Sequence, residues 1–198
     1  MKPVVFCHVP KCGGQSVGAQ LREWFGYRAR VQYRGDAPHV IDLVRQLPEE
    51  HRPAVIYGHF AGCRTDEWYP KEYLGDHAIM LREPLRRFVS AFNFANRKTV
   101  RYETPEDFIE ARNRILLDAM YCVPLPLEDY ALVGTTERID DFVAGLAGMV
   151  GKEPPAKTPH RNISKGLTAE DLSPELVAEH KRRYAEEHDL YGRASAWR

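Results

Sequence analysis

Near its start the chain reads Phe6-Cys7-His8-Val9-Pro10-Lys11-Cys12-Gly13-Gly14-Gln15-Ser16. Two adjacent glycines let backbone N–H groups approach an anion closely. A helix beginning near Gln15 would point the positive end of its dipole at that anion. Ser16 adds a hydroxyl donor, and Lys11 can reach the same anion from the other side. Pro10, Lys11, Cys12, Gly13, Gly14, Gln15 and Ser16 thus form a candidate loop for a phosphate-like group. A second positive charge, Arg82, ends the apolar run His77–Leu81. A guanidinium there suits another anionic group, not a metal ion. The ligand expected has two separated anionic groups and needs no metal.

The loop is not that of a nucleotide hydrolase, G-x-x-x-x-G-K-[ST]. With the pattern's serine on Ser16, its final glycine falls on Gly14. The lysine position then holds Gln15, and the first glycine position holds Val9. A magnesium-nucleotide enzyme would also end a neighbouring strand in an aspartate, where this chain has Arg82.

The elements that must position these residues follow from apolar spacing. Val4–His8 reads as a buried strand. Val17, Leu21, Trp24 and Phe25 recur at helical spacing after the glycines. A helix is expected over His39–Leu47. Strands are expected over Ala54–Tyr57, His77–Leu81 and Tyr130–Val133. Pro84 opens a helix with a buried stripe of Leu85, Phe88, Val89 and Phe92. Pro105 opens another, running to about Tyr121. A further helix spans Ile139 to Met149, and Ser173-Pro174 caps a last one ending near His188. Strands alternating with helices predict an α/β, P-loop-like three-layer fold, with a central, mostly parallel sheet of four to five strands. In such sheets ligands bind beyond the carboxyl ends of the strands, which gathers the loops after His8, Gly58, Leu81 and Val133 onto one edge.

The 198 residues suggest one domain over 1–198. The 28 basic and 28 acidic residues cancel, which disfavours nucleic acid as a partner. No apolar run approaches a signal peptide or a membrane span. The four cysteines, Cys7, Cys12, Cys63 and Cys122, form no C-x-x-C pair and read as reduced thiols of a cytoplasmic protein.

The motifs together resemble those of the sulfotransferase superfamily. "HVPKCGGQS" is similar to the family's phosphosulfate loop, H-I-P-K-T-G-G-T-S, and "REPLRRFVSAF" to its 3′-phosphate segment, R-D-P-x-x-R-F-x-S-x-[YF]. "YGHF", "VGTTERIDDF" and "HRNISKG" follow in the order of the carbohydrate O-sulfotransferase branch. The resemblance spans about Val5 to Gly166. Cys12 and Gln15 replace threonines, and Glu83 an aspartate; a loop that binds through its backbone should tolerate the first two. "DLY" at Asp189–Tyr191 resembles the family's closing segment, so the catalytic domain is expected to be complete there.

The resemblance implies 3′-phosphoadenosine 5′-phosphosulfate as the donor, a hydroxyl acceptor of the carbohydrate class and no metal. Lys11 would stabilise charge growing on the leaving phosphate, where the plainer reading is a solvated loop lysine. Arg82 and Ser90 would hold the 3′-phosphate. Ser90 shares a helical face with Arg86, Asn93 and Arg97, whereas Arg86 and Arg87 read as surface charge. Arg161, Asn162, Ser164, Lys165 and Gly166 would fold over the nucleotide, or form an exposed basic loop. His59 is the candidate base, against a histidine merely bonded to backbone at a strand end. Asp66, Glu67 and His8 are its backups, with His8 expected to orient the loop. Trp24, Trp68 and Phe92 read as core. The acceptor should meet Arg64–Gly75 and Lys98–Pro126. A degenerate P-loop kinase or hydrolase, and a nucleotide-binding scaffold without turnover, are the rival readings. Oligomeric state is not encoded in any of these signals.

Overall fold

The computed structural model describes residues 2–32, 44, 46–60, 74–111, 114–158 and 166–197. Its centre is a five-stranded sheet: β1 (Val4–His8), β2 (Ala29–Gln32), β3 (Val55–Gly58), β4 (His77–Leu81) and β5 (Leu132–Thr135). The order across the sheet is β2-β3-β1-β4-β5, and every pairing is parallel. Four of the strands are apolar runs of five residues or fewer. β1, β3 and β4 are buried on both faces, as a parallel sheet between helical layers requires.

Alternate residues serve opposite layers. Phe6, Val55, Tyr57, Ala78 and Met80 pack against α1 (Gly14–Phe25) and α5 (Ile139–Val150), through Val17, Leu21, Phe142 and Leu146. Val5, Cys7, Ile56, Ile79 and Leu81 face the other way, toward the 119–130 segment and Leu190 and Ala194 of α7 (Ala185–Ser195). A third cluster joins α2 (Pro84–Ala95) to α3 (Pro105–Ile109), α4 (Arg114–Leu117) and α6 (Pro174–Arg183), with Phe88 and Phe108 at its centre, ring centroids 5.5 Å apart. Trp24 and Phe92 pack against these clusters, as expected of core residues.

Four features differ from the sequence reading. Strand β2 was not expected: a single 3-10 turn, Gly26–Arg28, leads from α1 into it. Among the described residues it pairs only with β3, and Arg30 and Val31 remain exposed, so it carries no apolar run. Strand β5 begins two residues later than expected, because Leu127–Asp129 forms a 3-10 turn first. The helix expected from Pro105 to about Tyr121 is broken. Asp118 caps a separate 3-10 turn, and the Leu116 and Leu117 carbonyls accept from Arg87 instead of continuing a helix. The last helix is two, divided at Tyr184, whose φ of −115° and ψ of 38° leave the helical region. Of the helix expected over His39–Leu47, Val44 and Gln46 are helical, Leu47 is not, and the rest lies outside the described residues.

Among the described residues no helix is long and apolar enough to cross a membrane. Cys7, Cys12 and Cys122 are buried and form no disulfide, and Cys63 lies outside the described residues.

Candidate active site

The carboxyl ends of β1, β3, β4 and β5 open on one edge of the sheet. β1 passes into a turn closed by Cys12 N–H donating to the Val9 carbonyl at 3.1 Å. Two of its residues are left-handed, Lys11 at φ 68° and Gly13 at φ 70°. A lysine in that region costs about 1 kcal/mol or more, and such strain collects at functional sites. Gly13 is also the N-cap of α1 and offers no side chain to the first-turn N–H groups. Ser16 N–H turns back to the Gly13 carbonyl at 2.9 Å, so the earlier N–H groups of the helix and its dipole face the mouth of the loop.

Gly14 has a separate reason to be glycine. A Cβ there would fall 1.9 Å from Cδ2 of His8, whose buried ring lies under the loop. Burial, with the charges of His59 and Lys11, holds the His8 pKa well below the usual histidine value. A neutral ring supporting the loop is the role expected for it. The His8 carbonyl accepts from His59 Nδ1 at 2.6 Å, and the two rings are 4.4 Å apart. A carbonyl only accepts, so Nδ1 carries the proton, and the lone pair of the neutral His59 ring is on Nε2.

The second arm comes from β4 and α2. Pro84 occupies the first turn of α2, and Glu83 caps it, accepting from Leu85 N–H at 3.1 Å and Arg86 N–H at 2.7 Å. This cap fixes how the chain turns from Arg82 into the helix. Arg82 Nη1 donates to the Lys11 carbonyl at 3.4 Å, tying the end of β4 to the loop. Ser90, Phe94 and Arg97 follow on one face of α2 and its extension. Lys11 Nζ lies 4.2 Å from the centroid of the Phe94 ring, and Arg97 Cζ lies 3.7 Å from it. Partial burial, then the charges of Arg82 and Arg97, bring the Lys11 pKa down to about 8, against a small opposing effect of Cys12. Further along α2, Asn93 Nδ2 donates to the Leu167 carbonyl at 2.8 Å. A Cβ on Gly166 would fall 2.8 Å from Asn93 Oδ1.

The structure thus brings Lys11, Gly13, Gly14 and Arg82 together, sets Ser90 (6% exposed) on the helical face that leads to Lys11, and seats Gly166 against the same helix. Cys12 is buried, with its thiol donating toward the Pro10 carbonyl at 3.7 Å and its pKa pushed up to about 12 by burial. It can serve a ligand only through its backbone. Pro10 is buried, Gln15 exposed and Ser16 buried. Arg161, Asn162, Ser164 and Lys165 lie outside the described residues, as do Asp66, Glu67 and Trp68. Among the described residues, no three His, Cys, Asp or Glu side chains cluster as metal ligands would.

One expectation is overturned. Arg86 is exposed, 3.8 Å from Glu170, but Arg87 is not surface charge. It is 1% exposed and bonds Glu187 through Nε at 2.5 Å and Nη2 at 2.7 Å, and the Leu116 and Leu117 carbonyls at 2.8 and 2.7 Å. The signal was present: Arg87 shares a helical face with Pro84 and Ala91, both buried. Phe94 and Arg97 were not singled out as parts of the site. Only the crossing of α2 over the loop reveals them.

A glycine loop leading into a helix at the carboxyl edge of a parallel α/β sheet defines a P-loop-like fold. The chain also matches the model of the sulfotransferase family over residues 2–192, and it belongs to that family. Its fold is similar to the crystal structure of a sulfotransferase from Alicyclobacillus acidocaldarius. The TM-score is 0.54 at 13% identity, covering 94% of this chain and 93% of that one. Among curated proteins, none matches the chain.

Proposed function

We propose that this sulfotransferase moves a sulfuryl group from 3′-phosphoadenosine 5′-phosphosulfate to a hydroxyl, on a carbohydrate acceptor, in the cytoplasm, as one catalytic domain and without a metal. The observation that carries the reading is the hydrogen bond from Arg82 to the Lys11 carbonyl. It joins two cationic anchors at one sheet edge, where a donor charged at both ends needs them. The residues fit such a donor: left-handed Lys11 and Gly13 shape the loop, and Gly14 leaves no room for a side chain.

In this reading the backbone N–H groups of the 11–16 loop that the turn itself does not use, with the Ser16 hydroxyl, hold the 5′-phosphosulfate. Arg82 and Ser90 hold the 3′-phosphate, and residues 161–166 cover the nucleotide. The donor supplies an activated sulfuryl group. His59 Nε2 takes the proton of the acceptor hydroxyl as its oxygen bonds to sulfur. The Lys11 ammonium and loop amides meet the charge that grows on the leaving phosphate oxygen as the S–O bond breaks. Fixed donors of this kind are typically worth about 3 kcal/mol each.

A donor-consumption assay over a panel of hydroxyl acceptors tests the reading. Acceptor-dependent formation of 3′,5′-adenosine bisphosphate is expected, with a loss of about a hundredfold or more in kcat for His59→Ala. No turnover with any acceptor, or a His59→Ala enzyme as fast as wild type, contradicts it.

A further inference from the structure

The reaction as proposed uses Lys11 but leaves its aromatic neighbour without a role. Phe94 is 37% exposed, on the last turn of a helix whose other phenylalanines, Phe88 and Phe92, pack into the third core cluster. Its ring is not core. Two cations lie over it, Lys11 from the loop after β1 and Arg97 from the end of α2. Both are within 4.2 Å of the same centroid, so the two charges lie no more than about 8 Å apart. Like charges at that separation repel, and an exposed, flexible lysine would ordinarily swing into solvent. An aromatic face attracts both cations and offsets the repulsion.

We propose that Phe94 is a positioning residue for Lys11: its ring holds the ammonium at the mouth of the glycine loop, between Arg82 and Arg97, before any ligand arrives. The ring gives a long, rotamer-rich side chain a seat, so less ordering remains to be done when an anion binds. Arg97 raises the positive potential at that seat. The charged and titratable groups that act on the Lys11 amine are Arg82 at the end of β4, Arg97 after α2 and Cys12 in the loop. The two arginines oppose its charge, and the buried Cys12 thiol, neutral near pH 8, supplies no full counter-charge. Burial against the ring first, and confinement beside the arginines second, leave a signature, an amine that titrates near 8 instead of above 10. The inference concerns the side chain that the proposed function assigns to the leaving phosphate, but its first test needs no substrate.

Competitive acetylation of the full chain across pH 6–11, read by mass spectrometry at Lys11, reports its titration. Wild type should titrate near 8. Phe94→Leu should release the side chain and move the titration up toward the ordinary lysine value, about two units. Phe94→Tyr keeps a ring and should retain the wild-type value. Arg97→Gln should raise the titration by on the order of one unit with Phe94 present, and by much less in the Phe94→Leu background. An unchanged titration in Phe94→Leu, or a Phe94→Tyr protein that behaves like Phe94→Leu, overturns the proposal. Adding 3′,5′-adenosine bisphosphate to wild type should raise the Lys11 titration further. A missing shift there, with the Phe94 effects intact, contradicts the donor reading alone.

Discussion

Helix α2 carries arginine chemistry of two opposite kinds. On its buried side, Arg87 is enclosed with Glu187 and two carbonyls, and every part of its guanidinium has an acceptor partner or lies against core. At the sheet edge, Arg82 and Arg97 stand beside Lys11, and among the described residues none of the three makes an ion pair with a carboxylate. Arg87 has its counter-charge built in, so it fixes how α7 and the 116–119 segment sit against α2. The edge cations gather like charge at a cost in stability, which an anion arriving from outside would offset. The difference separates scaffold from site without appeal to any relative.

The comparison breaks most visibly at Arg87. Arg87→Met leaves Glu187 charged in a buried setting and should destabilise by about 3–5 kcal/mol in urea unfolding. The double variant Arg87→Met, Glu187→Leu should recover much of that loss. A loss below about 1 kcal/mol for the single change would make Arg87 no more structural than Arg86.

At the edge the same kind of change should act on rate instead. Lys11→Met is expected to lower kcat by about a hundredfold or more, close to 3 kcal/mol, with an unfolding curve like that of wild type. A variant that unfolds early but turns over normally would reverse the two roles.

The buried side also has a pH dependence of its own. His180 is fully buried, with Nδ1 3.1 Å from His188 Nε2, and burial, then Arg87, bring its pKa down to about 3. In the unfolded chain it titrates near 6.5, so below that pH the unfolded state takes up a proton that the folded state refuses. Its contribution is present above pH 6.5 and is lost as pH falls from there toward 3. The slope is about 1.4 kcal/mol per pH unit for one proton. His180→Leu should remove one proton's worth of that slope between pH 6 and 4.5, read from unfolding curves at each pH. An unchanged slope would mean that His180 is already charged in the fold.

The smallest effect expected is on stability at the edge. Arg82→Ala should leave unfolding within about 0.5 kcal/mol of wild type, since it removes a repelling charge and one long hydrogen bond. A loss of several kcal/mol would place Arg82 with Arg87.

Much of the scaffold was legible because its signals are local. Val4–His8 and His77–Leu81 are uninterrupted apolar runs ending in a turn, and both strands begin and end where those runs do. Pro84 and Ser173 mark helix starts by their own backbone chemistry. Edge strand β2 has half its residues in solvent and gives no such run. The division at Tyr184 reflects packing around His180, whose ring lies 4.8 and 5.3 Å from those of Tyr184 and His188. No residue at the break announces it. In the site, the glycine loop and Arg82 could be read from type and spacing. Phe94 and Arg97 meet Lys11 across more than eighty residues of chain, and only the tertiary crossing supplies that proximity.

The central claim is that the sheet edge grips one nucleotide by both charged ends without a metal. Calorimetry with 3′,5′-adenosine bisphosphate, in magnesium and in chelator, on wild type and Arg82→Ala, tests it most directly. Equal affinity in both conditions, falling about tenfold to a hundredfold in Arg82→Ala, is the result predicted. Binding that requires magnesium, or that Arg82→Ala leaves untouched, would contradict it.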